Sequence, residues 1–216
     1  GSIELFSSLL KKDLSNDPDK REIVEHISAS VKNMDRIISS LLLFAKSPKP
    51  SRQLCDLNKL LKELFEDSSA ILIPQRINPV FSFCKDAIAN GDFHLLKQVF
   101  INLIRNAIQA MPEGGDLKIT TQKSSQLEQP SNQSDYSRQF IKITVADQGS
   151  GISEDNLANV FNPFFTTKDH GTGLGLSISH NIIKAHQGTI DVESAQGKGA
   201  QFILKIPYWD YELDKK

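Results

Sequence analysis

Apolar residues near the N-terminus recur at helical spacing in two consecutive segments. Between Ile3 and Leu14 they fall at positions 3, 6, 9, 10 and 14, and a polar cluster with one proline at 15–19 ends the pattern. A longer stripe with steps of three and four residues, close to a heptad repeat, runs from Ile23 to Ala45. These patterns predict two helices joined by a turn.

The predicted hairpin, residues 1–46, has an apolar seam and no third apolar element beside it in the sequence. Two helices alone bury little surface, so pairing with a second copy into a four-helix bundle is the economical arrangement. We therefore predict a homodimer that forms through the hairpin. Packing of the hairpin on the rest of its own chain is the alternative.

A segment with two prolines and no periodicity follows at 46–50, and it predicts a linker over residues 47–53. Beyond it, the apolar spacing predicts a helix from Leu57 to Ala70 and a strand at 79–84. Asp92 is expected to cap a strong helix that runs to Met111. A domain boundary is therefore predicted within the linker.

The second half of the chain alternates strands with glycine-rich and helical segments. Strands are predicted near 116–122 and 140–146, with a mobile hairpin loop between them at 123–138. An irregular stretch at 148–172, a helix at 173–186 and strands at 189–194 and 200–207 complete the pattern. This order predicts an α+β domain over residues 54–210, a mixed sheet covered on one face by helices, with a tail at 211–216.

Composition narrows the classes of partner. The chain of 216 residues carries 25 Lys+Arg against 26 Asp+Glu, so no overall field favours nucleic acid or an anionic membrane. No segment approaches the roughly 20 apolar residues of a membrane-spanning helix. We expect no nucleic-acid partner, no membrane contact by these residues and a cytoplasmic location, with a parent protein that can still be membrane-anchored. Two cysteines, Cys55 and Cys84, are predicted to be reduced thiols.

A polar stripe lies on the predicted helix 92–111. Asn102, Arg105, Asn106 and Gln109 occupy positions i, i+3, i+4 and i+7, opposite a face of apolar residues. Ordinary surface helices also have polar stripes, but these are usually built from Lys and Glu. Two amides at i and i+4 offer neutral oxygens that can bind Mg²⁺ beside phosphates.

A carboxylate followed by glycines comes directly after the strand predicted at 140–146, in the order Asp147-Gln148-Gly149-Ser150-Gly151-Ile152. A plain turn explains this order equally well. In a nucleotide site, a buried Asp147 would accept a hydrogen bond from the exocyclic amine of adenine, and Gly151 would let the base approach the backbone.

Glycines also precede the helix predicted at 173–186, in Gly171-Thr172-Gly173-Leu174-Gly175-Leu176. Backbone N–H groups at a helix start, together with the helix dipole, suit phosphate binding. The pattern is neither a Rossmann fingerprint nor a Walker loop. Just before it, residues 161–168 offer three phenylalanines that could anchor a lid or simply fill the core, and Lys168 that could reach a terminal phosphate.

Taken in order, these segments resemble the ATP-binding domain shared by histidine kinases, gyrase-type topoisomerases, MutL mismatch-repair proteins and heat-shock chaperone ATPases. Residues 102–110 match its N box, 147–152 its first glycine box, 161–168 its F box and 171–176 its second glycine box. The resemblance covers residues 54–207. It implies ATP and Mg²⁺ as cofactors.

The resemblance also implies roles for individual residues. Asn106 is the expected Mg²⁺ ligand with Asn102 assisting, and Arg105 is a candidate phosphate contact. The remaining expected ATP-binding residues are Asp147, Gly149, Gly151, Ile152, Phe164, Thr166, Thr167, Lys168, Gly171, Thr172, Gly173, Leu174, Gly175 and Leu176.

Asn102 favours the histidine kinase branch of this superfamily. The hydrolases have a glutamate at the corresponding position, and a carboxylate can act as general base toward water, whereas an amide cannot. The dimeric hairpin before the domain points to the same branch, with a response-regulator aspartate as the next phosphoryl acceptor. An ATPase of the same superfamily and a non-catalytic dimeric interaction module are the alternatives.

The sequence departs from the kinase pattern at the phosphoacceptor. A histidine followed by an acidic residue and shortly by Asn-Pro or Thr-Pro is absent, and we expect the chain to begin just downstream of it. The fragment is then expected not to autophosphorylate. His26 lacks the flanking motif, His170 adjoins the phosphate loop and keeps a possible nucleotide contact, and the others are expected to be structural or exposed.

Overall fold

The chain divides into two compact units, residues 1–46 and residues 47–216. A computed structural model describes residues 2–14, 17–45, 48–72, 74–126, 138–168 and 171–208. The predicted tail at 211–216 and the tip of the predicted loop, residues 127–137, lie outside these ranges, as does His170.

The first unit is a helical hairpin of α1 (Ser2–Asp13) and α2 (Pro18–Ala45), which confirms the two predicted helices. Val24 and Val31 are buried, and Lys11 Nζ lies 2.9 Å from Glu25 Oε1 across the two helices. Much of the apolar stripe nevertheless remains at the surface of the single chain, at Ile3, Leu5, Phe6, Leu9, Leu10, Ile23, Ile27, Met34, Ile38, Leu41 and Leu42.

The second unit is a mixed α/β domain. Its elements are β1 (Gln53–Asp56), α3 (Leu57–Leu72), β2 (Ile77–Phe83), β3 (Ile88–Gly91), α4 (Phe93–Ala110), β4 (Gly115–Gln126), β5 (Arg138–Ala146), α5 (Glu154–Leu157), α6 (Gly175–Ala185), β6 (Thr189–Ser194) and β7 (Ala200–Pro207). Five strands form one sheet in the order β2-β4-β5-β7-β6, in which β2 and β4 are parallel and the other pairs antiparallel. β1 and β3 form a separate antiparallel pair.

The helices cover one face of the five-stranded sheet. Along β5, Ile141, Ile143 and Val145 are buried while the residues between them are only half-buried, which is the alternation of a sheet with one covered face. The covering helix α4 contributes Leu96 and Phe100, both fully buried. The predicted mixed sheet with helices on one face is therefore confirmed.

Several element boundaries differ from the sequence-based prediction. The predicted loop at 123–138 is too long, because β4 continues to Gln126 and β5 begins at Arg138. These polar residues remain in the ladder, with Lys123 opposite Ile141, since a β-ladder is held by backbone hydrogen bonds. The strands β1 and β3 and the short helix α5 were not predicted. Asp92 is the N-cap of α4, as predicted.

Both cysteines are free thiols, in agreement with the prediction. Burial raises the pKa of Cys55 to about 11, and the nearby carboxylates of Asp56 and Asp92 add to this rise. None of the helices within the described ranges is both long and apolar enough to cross a membrane.

Candidate nucleotide site

Asn102 joins the middle of α4 to the beginning of α6. Its Nδ2 donates to the Gly175 carbonyl at 3.1 Å and to Ser179 Oγ at 3.4 Å. A carbonyl oxygen can only accept, so the NH₂ side of the amide must face α6. The Asn102 oxygen is then the atom left to act as a ligand.

The rest of the polar stripe lies along the same helix toward its C-terminus. Asn106 is half-buried, while Arg105 and Gln109 are exposed. Lys168 Nζ donates to Gln109 Oε1 at 2.7 Å, which ties the segment 161–168 to α4. Partial desolvation lowers the pKa of Lys168, and attraction to the Asp147 carboxylate opposes that shift. Lys168 therefore interacts both with the polar stripe of α4, through Gln109, and with Asp147 after β5.

Asp147 sits at the end of β5 with only 9% of its surface exposed. Its Oδ1 accepts from the Gly149 N–H at 2.9 Å and from the Ala200 N–H at 3.2 Å. Burial raises the pKa of Asp147, and these two N–H donors and Lys168 partly offset the rise. An ionised carboxylate accepts hydrogen bonds and donates none, so this position suits recognition of an amino group.

The loop after Asp147 is held by the β6–β7 hairpin. Ser194 Oγ accepts from the Ile152 N–H at 2.8 Å and donates to the Gly199 carbonyl at 2.6 Å. The Gly199 N–H donates to the Gly149 carbonyl at 2.9 Å. Sequence reasoning missed Ser194 and Gly199, and the only local signal was the pair of glycines at 197 and 199, which is typical of a tight turn.

The glycines of the first glycine box are required by close backbone packing. A Cβ on Gly149 would collide with the backbone of Ala110 at the end of α4. Gly151 has φ +69, and a Cβ there would collide with the Ala195 carbonyl. Glycine is therefore needed at 151 because of its contact with the β6–β7 turn. The sequence alone suggested a different reason, namely that a base approaches the backbone there.

The second glycine box packs against the F box. Gly173 has φ +66 and leaves room for the backbone of Phe164, and Gly171 leaves room for the Thr166 side chain. Phe164 itself has φ +65 and is 62% exposed, an unusual combination for a large apolar residue. The structure therefore places the two predicted motifs side by side.

The remaining predicted residues complete the start of α6. Leu174 is the buried N-cap, Thr172 Oγ1 accepts from its N–H at 3.4 Å, and α6 begins at Gly175. Leu176 is half-buried in the first turn and Thr167 is exposed beside Lys168. The first N–H groups of a helix lack intrahelical partners, so this end of α6 can bind an anion.

The donor set fits ATP with Mg²⁺. Among the residues that the structure describes, no group of three or more His, Cys, Asp or Glu could hold a metal by itself. The amide oxygens of Asn102 and Asn106 lie one helical turn apart on α4, and neutral oxygens of this kind suit a Mg²⁺ ion that takes its other ligands from phosphates and water. The site therefore suits a metal that arrives with a nucleotide.

The family described as histidine kinase-, DNA gyrase B- and HSP90-like ATPase matches residues 91–210, the range that holds all four motifs. This chain belongs to that ATPase family. The second unit is accordingly a histidine kinase-type ATP-binding domain.

Curated relatives place this family member near the sensor kinases. It is 36% identical to sporulation kinase C of Bacillus subtilis over 192 residues, which are 88% of this chain and 42% of the relative. It is 34% identical to the sensor histidine kinase ZraS of Escherichia coli K12 over 191 residues, 88% of this chain and 38% of the relative. The chain thus spans less than half the length of these relatives.

Solved structures of histidine kinases share the fold. The nucleotide-free catalytic domain of histidine kinase ThkA aligns with a TM-score of 0.60 and 33% identity, covering 73% of this chain and 95% of that one. ThkA in complex with the response regulator protein TrrA aligns with a TM-score of 0.68 and 28% identity, covering 96% of this chain and 57% of that one.

Proposed function

We propose that this chain is the ATP-binding catalytic portion of a sensor histidine kinase. It binds ATP with Mg²⁺ and delivers the γ-phosphoryl group to a histidine, from which the group passes to an aspartate of a response-regulator receiver domain. The receiver partner is proposed by analogy with the relative that was solved together with its regulator.

The observation that carries this proposal is the environment of Asn102. Its amide nitrogen is engaged with α6 through Gly175 and Ser179. A water beside this side chain therefore meets an amide that cannot accept its proton. Such a site favours transfer of the phosphoryl group to a positioned protein acceptor over hydrolysis.

We assign the binding roles as follows. Asp147 accepts from the adenine amine, and the residues 171–176 at the start of α6 receive the phosphates with Lys168. Asn106 holds Mg²⁺ with Asn102 assisting. Bound Mg²⁺ would neutralise charge on the phosphates during transfer, while the protein contributes positioning.

The phosphoacceptor is proposed to come from outside these 216 residues. No histidine in the sequence is followed by an acidic residue. His26 lies exposed on α2, 3.7 Å from Glu22, without the flanking motif. We therefore propose that the 216 residues alone bind ATP without autophosphorylating.

We also propose that the hairpin α1–α2 forms a homodimer. The support is the row of apolar side chains that the single chain leaves exposed on both helices. Burial of such a row in a four-helix bundle would contribute roughly 25 cal/mol for each Å² removed from water.

Replacement of Asn106 tests the assignment of the metal ligand. Calorimetric titration with a non-hydrolysable ATP analogue should show that Asn106→Ala weakens binding about tenfold when Mg²⁺ is present, because an amide ligand is lost. In EDTA the variant and the native chain should bind alike. An equal loss with and without Mg²⁺ would contradict a role in metal binding.

Incubation with γ-labelled ATP tests the reaction class. We expect binding of ATP with neither an acid-labile, base-stable phosphoprotein nor steady phosphate release. Strong labelling of the 216-residue chain would overturn the proposal of an external acceptor. Steady release of phosphate without an acceptor would favour an ATPase, and no nucleotide binding would refute the proposed function.

A further inference from the structure

The linker that follows the hairpin is hydrogen-bonded to two helices of the ATP-binding domain. The Ser51 N–H donates to Asp92 Oδ2 at 3.0 Å, at the N-cap of α4. Arg52 Nη2 donates to the Ala185 carbonyl at 2.9 Å, at the last residue of α6. Two successive linker residues thus contact the start of one helix and the end of the other.

These two helix ends are also joined directly. Asp92 Oδ1 accepts from the N–H groups of His94 and Leu95 at 3.0 and 3.1 Å, while the Asp92 N–H donates to His186 Nε2 at 2.9 Å. His186 is fully buried, and its Nδ1 lies 2.7 Å from the Ile182 carbonyl. We call the four residues Ser51, Arg52, Asp92 and His186 the linker clasp.

The linker clasp lies at the opposite end of α6 from the glycine loop. The helix has 11 residues, which corresponds to a length of about 16 Å at 1.5 Å per residue. Asn102 fixes the beginning of α6 to α4, and the clasp fixes its end to α4 and to the linker. Both ends of this short helix are therefore held by side-chain hydrogen bonds.

We propose that the linker clasp positions α6 and the glycine loop at its start, so that Arg52 is a positioning residue for nucleotide binding from the far end of the helix. The inference rests on the proposed function as far as the nucleotide is concerned. Beyond that function, we infer that the linker influences the glycine loop through α6. The linker clasp begins at Ser51, only a few residues after α2 ends at Ala45.

The chemistry of Arg52 supports a holding role. The last carbonyls of a helix lack intrahelical partners and carry partial negative charge, and a guanidinium there satisfies both the hydrogen bond and the dipole. The side chain is exposed, so its replacement should leave the buried core intact. Gly91 also fits this arrangement, since a Cβ there would meet Leu96 and approach the His186 ring.

The test compares Arg52→Ala with Arg52→Lys and with Lys49→Ala, an exposed linker cation used as the matched control. Hydrogen exchange of the full chain without nucleotide should be faster in Arg52→Ala both near residues 182–186 and at the glycine loop, residues 171–176. Affinity for the Mg²⁺ complex of a non-hydrolysable ATP analogue should fall about fivefold, the factor for loss of roughly 1 kcal/mol at a helix terminus. Arg52→Lys should restore both readouts, and Lys49→Ala should match the native chain.

Faster exchange limited to residues 182–186, with an unchanged glycine loop, would overturn the inference and leave Arg52 a local cap. Equal effects of Arg52→Ala and Lys49→Ala would overturn it as well, because the effect would then follow linker charge alone. If the native chain bound no nucleotide, the proposed function would fail, while exchange at the glycine loop would still decide for or against the clasp.

Discussion

Asp147 combines burial with two backbone N–H donors to its carboxylate, and both features come from its immediate neighbours. Two backbone N–H groups hold one carboxylate oxygen, and the side chain sits where β5 ends beside the proposed nucleotide site. Such an acceptor can discriminate a base that carries an amino group from one that carries a carbonyl oxygen there. In the proposed function, selectivity for adenine would depend on the second oxygen of this carboxylate.

We expect Asp147→Asn to weaken binding of an adenine nucleotide roughly 10-fold to 100-fold, because a hydrogen bond to a charged group contributes about 1.5–3 kcal/mol. The amide oxygen can still accept from Gly149 and Ala200, so the free energy of unfolding should change little. Calorimetry with a non-hydrolysable ATP analogue measures the first effect and urea denaturation the second. Asp155→Asn on the exposed part of α5 is the control, and native-like affinity of Asp147→Asn would refute the assignment.

At the scale of residues, the sequence offered candidates where the signal is local. Asp147 at a strand end and Asn102 on a polar stripe could be singled out from their neighbours. Ser194 and His186 could not, because each acts on a backbone group far away in the chain, Ile152 and Asp92 respectively. Nothing in their own surroundings marks a serine or histidine as such a partner.

At the scale of elements, the turn between β6 and β7 contains two glycines with the same backbone conformation and different surroundings. Gly197 and Gly199 both have φ +74, but a Cβ on Gly197 would meet open space, whereas one on Gly199 would collide with the Asp147 carbonyl. The pair separates the effect of a left-handed conformation from the effect of a steric collision.

We expect Gly197→Ala to lower the free energy of unfolding by about 1 kcal/mol, the typical effect of placing a side chain at positive φ. Gly199→Ala should lower it by roughly 3 kcal/mol or more and should also weaken nucleotide binding, because Asp147 is displaced. Urea denaturation and calorimetry of both variants provide the measurements. Similar losses for the two variants would show that the contact with Asp147 has no consequence.

The junction of α4 and α6 predicts a dependence of stability on pH. Burial lowers the pKa of His186, an effect that Arg52 reinforces and that the Ile182 carbonyl and the Asp92 carboxylate oppose. The neutral ring donates from Nδ1 and accepts from the Asp92 N–H at Nε2, so a second proton would face another N–H group. Folding therefore favours the neutral form.

An unfolded histidine has a pKa of about 6.5, so below that pH the unfolded chain binds more protons at this residue than the folded chain does. The contribution of His186 to stability is fully present above pH 6.5 or so and is lost as the pH falls toward its folded value. Urea denaturation at pH 7.5 and pH 5.5 measures how far the free energy of unfolding falls between these two values. This fall should be about 1 kcal/mol smaller for His186→Gln than for the native chain. His94→Gln, at an exposed position, should behave like the native chain, and parallel profiles for all three would contradict the expectation.

Helices and strands were predicted correctly where the apolar periodicity extends over many residues. They were missed where a short strand forms only because it pairs with another strand. The helices α4 and α6 and the strand β7 follow their patterns closely. The strands β1 and β3 have only four residues each, too few for a pattern, and they exist because they pair with each other. The parallel pairing of β2 with β4 likewise depends on chain topology that composition does not encode.

At the scale of the whole molecule, the predicted mixed sheet covered by helices is confirmed, and the four-helix bundle stays a prediction. It can be tested with two substitutions on the same helix. Ile27 is an exposed apolar residue of the stripe on α2, and Ala29 is an exposed small residue about half a turn away, on the opposite side of the helix. Glutamate is a good helix former and should leave the helix itself intact in both cases.

Ile27→Glu should weaken self-association roughly 100-fold, because each copy would place an unpaired charge in an apolar seam at a cost of a few kcal/mol. Ala29→Glu should leave the association constant near its native value, since its new charge would point away from the seam. Sedimentation equilibrium over a range of concentrations measures both. A monomeric native chain at micromolar concentration, or equal effects of the two substitutions, would count against a dimer through the hairpin.

The way Asn102 is held limits how this domain could acquire a new activity during evolution. A glutamate at this position would lose the NH₂ group that now donates to the Gly175 carbonyl, and its carboxylate would face that carbonyl and the Ser179 oxygen. A single substitution would therefore disturb the start of α6 before any water could be activated. If the proposed function holds, a change toward hydrolysis would therefore need a shifted start of α6 as well as a glutamate on α4, because the Gly175 carbonyl is a backbone group that no side-chain substitution removes.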